Sequence, residues 1–217
     1  MHVVGHTDRI QIITDLPFIK KVNLSKLDIG KYQDNQLAES RIFVSDAIEQ
    51  AEYVGVLSYN YRTKWPQLVP WNSLIDLPFR PDLLYCAEIP APRWDDWFML
   101  SCPGMEPLFR DMVQYSGFCS RNFPTLMANA FISSWEVFSE FLFHWRRIFY
   151  YLYEKYPPAS MTFQSFDDNR RAGYLYEALS ALVWAHLIKE RNLTLSKLSM
   201  DSKRKFSKRI LVPITKG

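Results

Sequence analysis

The chain has 217 residues, 48% of them apolar, and a formal net charge of +3, which suits one domain with a substantial core and excludes a disordered chain. So small a charge gives no reason to expect nucleic-acid binding, and its cationic excess gathers in a basic tail over residues 201–217, so we expect at most a peripheral membrane contact. Three cysteines without paired or zinc-ligand spacing give no support for a disulfide framework or a zinc site.

The amino-terminal segment is predicted to be extended. Residues 1–9 are typical of a short strand that opens into a polar loop, and residues 10–14 of further extended structure. His6 stands at the end of the first strand, where a ligand contact would lie in an α/β sheet. Because the chain shows neither a basic start with an apolar core nor a run of about 18 apolar residues, we expect no leader, no membrane span and a cytoplasmic protein.

A helical pattern and a strand then follow one another. Residues 34–50 keep apolar side chains at helical spacing, and Asp34 or Asn35 offers a helix start, which predicts a helix. Residues 53–62 (YVGVLSYNYR) begin as an unbroken apolar run and stop abruptly in polar and aromatic residues. Buried strands of parallel sheets have this pattern, and ligands bind beyond their carboxyl ends. The alternative is a core strand followed by an ordinary loop.

The region over residues 65–107 is rich in proline and has little periodicity. Long irregular regions in compact domains are often binding loops, so we expect it to recognise the acceptor. Within it, residues 82–89 predict another strand. Asp95 and Asp96 lie between two tryptophans, a combination that suits a divalent ion or sugar hydroxyls, although adjacent aspartates are also common in exposed turns.

The last third is predicted to be helical. Residues 133–136 match a capping box, and aromatic and aliphatic residues then recur at helical spacing, so we expect a helix over 137–156 with its aromatic stripe in the core. A second helix is predicted to begin near Asp167 and Asp168, which also suit helix caps.

Two histidines belong to these helices. His144 and His186 lie on the faces of the two predicted helices, where packing rather than catalysis is expected.

A bound phosphate would have to be held by side chains, because neither of the glycine-rich phosphate motifs occurs. Arg62 and Lys64 lie just past the end of the predicted strand at 53–62, and a guanidinium offers a planar fork to phosphate oxygens. The alternative for both is a solvated loop.

Three segments carry a resemblance to a known family. Residues 129–132 (NAFI), the aromatic helix and residues 170–179 (RRAGYLYEAL) stand in an order similar to Asn-x-Phe-Ile, an aromatic helix and Arg-x-x-Gly-aromatic-x-x-Glu-x-Leu. That order is typical of small glycosyltransferase-like proteins from bacterial capsule and O-antigen gene clusters. Residues 53–61, with Asp34-Asn35 and Ala38-Glu39 upstream, resemble the family's helix and Tyr-(Ile/Val)-Gly strand, and residues 1–7 resemble its first strand.

The resemblance implies a fold and an activity. The fold would be α/β of the glycosyltransferase-A type, with a Rossmann-like, mostly parallel central sheet flanked by helices. The protein would be a hexosyl- or pentosyltransferase of polysaccharide biosynthesis, with a nucleotide-diphosphate sugar as donor and a glycan or glycoconjugate as acceptor. Similar transferases occur in large viruses, in which case the cytoplasm would be that of the host. The alternative is a non-catalytic carbohydrate-binding or scaffold protein with a degenerate transferase fold.

The chain departs from the family pattern at the strand end, where residues 58–62 (SYNYR) stand in place of His-Tyr-Arg-Arg. Glycosyltransferases of this fold commonly carry Asp-x-Asp there, holding a divalent ion against the diphosphate, whereas Ser58-Tyr59-Asn60 lacks both charges and would bind Mg²⁺ or Mn²⁺ poorly. We therefore expect Asp95 or Asp96 to supply the carboxylate, either to a metal or as the base that activates the acceptor hydroxyl.

These expectations give a single domain over residues 1–217 with three parts. Residues 1–110 would form the nucleotide-sugar half, residues 111–200 a helical acceptor half, and residues 201–217 the basic tail. The expected donor contacts are His6, Thr7, Tyr59, Asn60, Arg62 and Arg170. The expected catalytic carboxylates are Asp95, Asp96 and Glu177, of which the two aspartates would also be the metal ligands.

Overall fold

The computed structural model describes residues 2–5, 17–32, 39–58, 82–89, 104–118, 125–157 and 171–197. The strands are β1 (His2–Gly5), β2 (Lys20–Asn23), β3 (Tyr53–Ser58), β4 (Leu83–Ile89), β5 (Thr125–Ser134) and β6 (Leu195–Lys197). The α-helices are α1 (Arg41–Val44), α2 (Glu106–Ser116), α3 (Trp135–Lys155) and α4 (Arg171–Arg191), and short 3₁₀ turns cover Leu24–Lys26 and Gly30–Tyr32. The strands form one sheet in the order β2-β1-β3-β5-β4-β6.

The sheet is mixed. β1 pairs in parallel with β2 and β3, and β4 pairs in parallel with β6. β5 is antiparallel to both of its neighbours, β3 and β4. The carboxyl ends of the other strands and the amino end of β5 therefore meet at one edge of the sheet, which we call the carboxyl edge.

An α/β fold is confirmed at this level, together with the strands predicted at the start of the chain, at 53–62 and at 82–89. The extended structure predicted for residues 10–14, and Asp167 and Asp168 before α4, lie outside the described residues. β3 is buried from Val54 to Ser58, as its unbroken apolar run predicted.

Gly55 lies where β3 and β5 approach each other closely. A Cβ atom added there would lie 2.6 Å from Ile132 Cγ1 and 3.0 Å from the Phe131 carbonyl oxygen. A glycine inside a strand often marks such an approach of a second backbone.

The main core lies between the sheet and the long helices α3 and α4. On β5, Phe131 contacts Phe141 of α3 at 5.0 Å and Trp184 of α4 at 4.8 Å between ring centroids. The aromatic stripe predicted for α3 is confirmed, since all four of its members are fully buried: Phe138, Phe141, Trp145 and Phe149.

The helix predicted over residues 34–50 is much shorter in the structure, and residues 33–38 lie outside the described part of the chain. α1 covers only Arg41–Val44, and Ser45 leaves it with an extended backbone. Arg146 of α3 explains the early end, because its Nε donates to the Phe43 carbonyl and its Nη2 to the Ser45 carbonyl, both at 2.7 Å. The Ser45 hydroxyl donates to the Ile42 carbonyl and accepts from the Ala47 amide, so tertiary and side-chain bonds replace the next helical turn.

The predicted capping box at the start of α3 is wrong. Ser134 is the cap residue and makes no side-chain cap bond, while the Ser133 hydroxyl donates to the Ser134 carbonyl. The Trp135 amide instead donates to the Glu52 carbonyl at 3.0 Å. The backbone just before β3 thus accepts the hydrogen bond of an amide in the first turn of α3, where the sequence predicted a serine side chain as the acceptor.

Two histidines join the end of α2 to the long helices, as their predicted packing role requires. Phe118 follows α2 and stacks on His186 at 3.7 Å, with His144 edge-on at 5.3 Å. Burial lowers the pKa of both histidines, and the nearby charges of His186 and Arg147 lower the pKa of His144 further. The charges of Glu190 and Glu140 raise the pKa of His186, but burial outweighs them and the pKa stays lowered.

The lowered pKa values predict a stability that depends on pH. The folded state binds protons at these sites less readily than the unfolded chain, so their contribution is complete above the ordinary histidine pKa of 6.5 and is lost as the pH falls below it. We expect the free energy of unfolding, from urea titrations, to decrease between about pH 8 and about pH 5.5, with a smaller decrease in the double variant His144→Gln/His186→Gln. An equal pH dependence in the two proteins would contradict the assignment.

Among the helices of the described residues, none is sufficiently long and apolar to cross a membrane.

Candidate functional site

The carboxyl edge brings several polar residues together at the end of β3. Continuing the register in which Val56 faces Phe131 places Asn129 of β5 opposite Ser58, the last residue of β3. Both side chains are buried and lie on the side of the sheet that α3 and α4 cover. Ligands of open α/β folds bind beyond this edge of a sheet.

A carboxylate is held at this edge. The Ser58 hydroxyl donates to Oε1 of Glu39 at 2.6 Å, and Glu39 is half-buried. A hydrogen bond of this kind restricts the carboxylate to one place, directly beside the end of β3. The two residues are 19 positions apart in the sequence, so their proximity depends on how the chain returns to the sheet.

A buried hydrogen-bond network lies beside this pair. Asn129 Nδ2 donates to the Ser40 hydroxyl at 3.2 Å, and Asn129 Oδ1 accepts from the Ser180 hydroxyl at 2.7 Å. Trp145 Nε1 donates to the Ser180 hydroxyl at 3.0 Å. The network joins β5, α3 and α4 to the residue that follows Glu39, and so it fixes the position of that segment at the carboxyl edge.

Glu177 is the predicted catalytic residue that the structure describes. α4 runs in the same direction as β5, since Asn129 bonds to Ser180 and Phe131 contacts Trp184 one turn later. Glu177 lies almost one turn before Ser180 and therefore nearer the carboxyl edge. It is half-buried, at the same end of the molecule as Glu39.

The other predicted site residues lie outside the described residues. They are His6, Thr7, Tyr59, Asn60, Arg62, Asp95, Asp96 and Arg170. Three of them have described neighbours. β1 ends at Gly5 directly before His6, β3 ends at Ser58 directly before Tyr59, and α4 begins directly after Arg170. Those strand ends lie at the carboxyl edge, as predicted.

Sequence reasoning assigned no role to Glu39, Ser40 or Ser180. Glu39 and Asn129 belong to the segments that carry the family resemblance, and that resemblance is the sequence feature that could have identified them as site residues. Nothing in the spacing along the chain links Ser180 to Asn129, which lie 51 residues apart.

The described residues at the carboxyl edge provide few ligands for a metal ion. Within the described ranges, no three His, Cys, Asp or Glu side chains are grouped as a metal site would need. Glu39 contributes one carboxylate and Ser58 a hydroxyl, fewer charged oxygens than Mg²⁺ or Mn²⁺ prefers. Asp95 and Asp96 would have to complete the ligand set.

Comparisons with known proteins give one structural similarity. No protein-family model matches the chain, and no curated protein sequence matches it. The structure is similar to the apo structure of the bifunctional glycosyltransferase WbbM, with a TM-score of 0.60 and 12% sequence identity. The similarity covers 91% of this chain and 44% of the WbbM chain, so this chain spans less than half the length of that enzyme. The two share a fold.

Proposed function

We propose that the protein is a glycosyltransferase that moves a sugar from a nucleotide-diphosphate sugar to a glycan or glycoconjugate acceptor. The observation that carries this proposal is the fold shared with WbbM over 91% of the chain. The polar residues at the carboxyl edge support it, since that edge is where such folds bind ligands. A role in capsule or polysaccharide biosynthesis follows from the family resemblance and belongs to the same proposal.

The donor is proposed to lie beyond the ends of β1 and β3. His6, Thr7, Tyr59 and Asn60 follow these strands in the sequence and would contact the nucleotide. Arg62 and Arg170 would face the diphosphate, because a guanidinium matches phosphate oxygens. Residues 1–110 would then form the donor half and residues 111–200 the acceptor half.

The reaction needs two kinds of group. The acceptor oxygen attacks the anomeric carbon, the bond from that carbon to the diphosphate breaks, and the diphosphate leaves with its electron pair. Cations must stabilise the negative charge that develops, and in an inverting reaction a carboxylate takes the acceptor's proton. We propose Glu39, which Ser58 holds at the carboxyl edge, as the base that takes this proton. Glu177 is the next candidate.

Asp95 and Asp96 are proposed to hold Mg²⁺ or Mn²⁺ against the diphosphate, or to take the proton themselves. Carboxylate oxygens are the ligands that these ions prefer. The ion would supply positive charge for the leaving diphosphate.

Calorimetric titration with uridine and guanosine diphosphate tests the proposal. We expect one of them to bind at millimolar concentration or tighter, and more tightly when Mn²⁺ is present. Absence of binding by both, with and without Mn²⁺, would contradict the proposal. Glycan binding in the absence of nucleotide binding would instead identify a carbohydrate-binding protein, for which the missing Asp-x-Asp is the favouring observation.

A further inference from the structure

A groove lined with tyrosine rings runs along the exposed side of α3, outside the site described above. It has a volume of about 610 Å³ and is lined by Tyr115 of α2 and by Arg147, Tyr150, Tyr151, Glu154 and Lys155 of α3. Tyr115 is 41% exposed and Tyr150 is 36% exposed. The groove is shallow and widely open to solvent.

The tyrosine rings are held in place by their neighbours. The Tyr151 hydroxyl lies 3.0 Å from Oδ2 of Asp111, and its ring stacks on Tyr115 with 3.7 Å between centroids. Tyr150 packs against Tyr32 at 5.2 Å. Rings that are already fixed lose little conformational freedom when a ligand stacks on them, which favours binding.

Among the described residues, the groove has one cation that no carboxylate pairs, Arg147. Lys155 forms an ion pair with Asp111 at 2.9 Å, and Glu154 forms one with Lys31. Hydrogen bonds with Tyr151 and Asp111 raise the pKa of Lys155, which keeps that ion pair charged. Arg147 is exposed, and in the part of the chain that the structure describes it has no carboxylate partner, only the Phe118 ring at 5.9 Å.

The groove lies toward the same end of the molecule as the carboxyl edge. α3 runs toward that edge, because Phe141 contacts Phe131 whereas Trp145 bonds to Ser180 at the level of Asn129. Tyr150 is five residues further along α3, about 7.5 Å beyond Trp145 in that direction.

We propose that this groove binds an acidic glycan, with pyranose rings stacked on Tyr115 and Tyr150 and a carboxylate of the glycan paired with Arg147. Stacked aromatic rings beside hydrogen-bonding groups suit the apolar face and hydroxyl rim of a sugar. Arg147, which has no carboxylate partner among the described residues, is complementary to an acidic sugar, and one such cation is too few for nucleic acid, whose binding rests on many phosphate contacts. The proposal goes beyond transfer chemistry and holds for a transferase or a carbohydrate-binding protein.

Two oligosaccharides with matched linkages test the proposal by calorimetry: α-1,4-linked hexagalacturonate as the acidic probe and maltohexaose as the neutral one. We expect the acidic probe to bind more tightly, with a difference that disappears in Arg147→Gln and when NaCl is raised from about 50 mM to about 500 mM. Tyr150→Ala should weaken both probes by about three- to tenfold, the loss expected for one ring contact.

Phe143→Ala is the matched control, because Phe143 lies on the same helix, is 65% exposed and is not part of the groove. It should leave both affinities unchanged. Tyr115→Ala is a second groove variant, should Tyr150→Ala unfold. The proposal is overturned if neither probe binds, if the groove variants lose no more affinity than Phe143→Ala, or if sedimentation shows a dimer that these same variants dissociate. Because no nucleotide is present, failure here does not bear on donor binding.

Discussion

Replacing Trp145 with alanine is expected to lower the free energy of unfolding by about 3–5 kcal/mol, the range for removing a large buried aromatic side chain. Trp145 is fully buried, stacks on Phe149 at 5.0 Å and meets the Phe43 ring edge-on at 5.3 Å. Its truncation leaves a cavity and also removes the donor that bonds to Ser180. Urea titration measures the change.

Two further variants separate the causes. Phe143→Ala removes an aromatic ring from the exposed side of the same helix, and we expect it to change the free energy of unfolding by less than about 0.5 kcal/mol. Ser180→Ala keeps the core volume nearly unchanged but removes the hydrogen-bond partner of Asn129 Oδ1 and of Trp145 Nε1, which should cost about 1–3 kcal/mol. A loss below about 1 kcal/mol for Trp145→Ala would show that the aromatic stripe is not a core element.

Replacing Glu39 with glutamine is expected to lower the rate of sugar transfer by about 10²–10⁴-fold, the usual contribution of a general base. Glutamine keeps the side-chain oxygen that accepts the Ser58 hydrogen bond but cannot take a proton. The dissociation constant of the donor nucleotide and the stability should therefore change little. The measurement is single-turnover transfer with saturating donor, for Glu39→Gln and the unchanged protein side by side.

Other carboxylates provide the comparison. Glu52→Gln changes an exposed residue just before β3 and should keep full activity. Asp95→Asn and Asp96→Asn should weaken the dependence on Mn²⁺ if those residues hold the ion. Near-normal turnover in Glu39→Gln together with a large loss in Glu177→Gln would move the base to α4, and a large loss in an aspartate variant alone would move it to the proline-rich region.

Local patterns in the sequence correctly predicted the strand and the helix whose burial shows within one short segment of the chain. An unbroken apolar run identified β3, and helical spacing of aromatic residues identified α3 and its buried face. A strand that is buried on both faces has an unbroken apolar run, and a helix that is buried along one stripe has apolar residues at helical spacing. Such elements can be predicted without knowing what they pack against.

The same reasoning was wrong where a distant residue supplied a backbone hydrogen bond. The pattern over residues 34–50 suits a long helix, but Arg146 binds the carbonyls that the next turn would have used. The cap expected at the start of α3 is replaced by the Glu52 carbonyl. A local pattern contains no information about a donor or acceptor about one hundred residues away.

By itself the sequence determined the α/β class, the buried strand that ends at Ser58 and the aromatic helix, because these follow from burial patterns within short segments. Only the tertiary structure decided which polar groups meet at the carboxyl edge. Glu39 reaches Ser58, and Asn129 reaches Ser180, because separate strands and helices converge there. Hydrogen bonds between such elements depend on the register of the sheet and on the direction in which each helix crosses it, and neither is encoded in the spacing of residues along one segment.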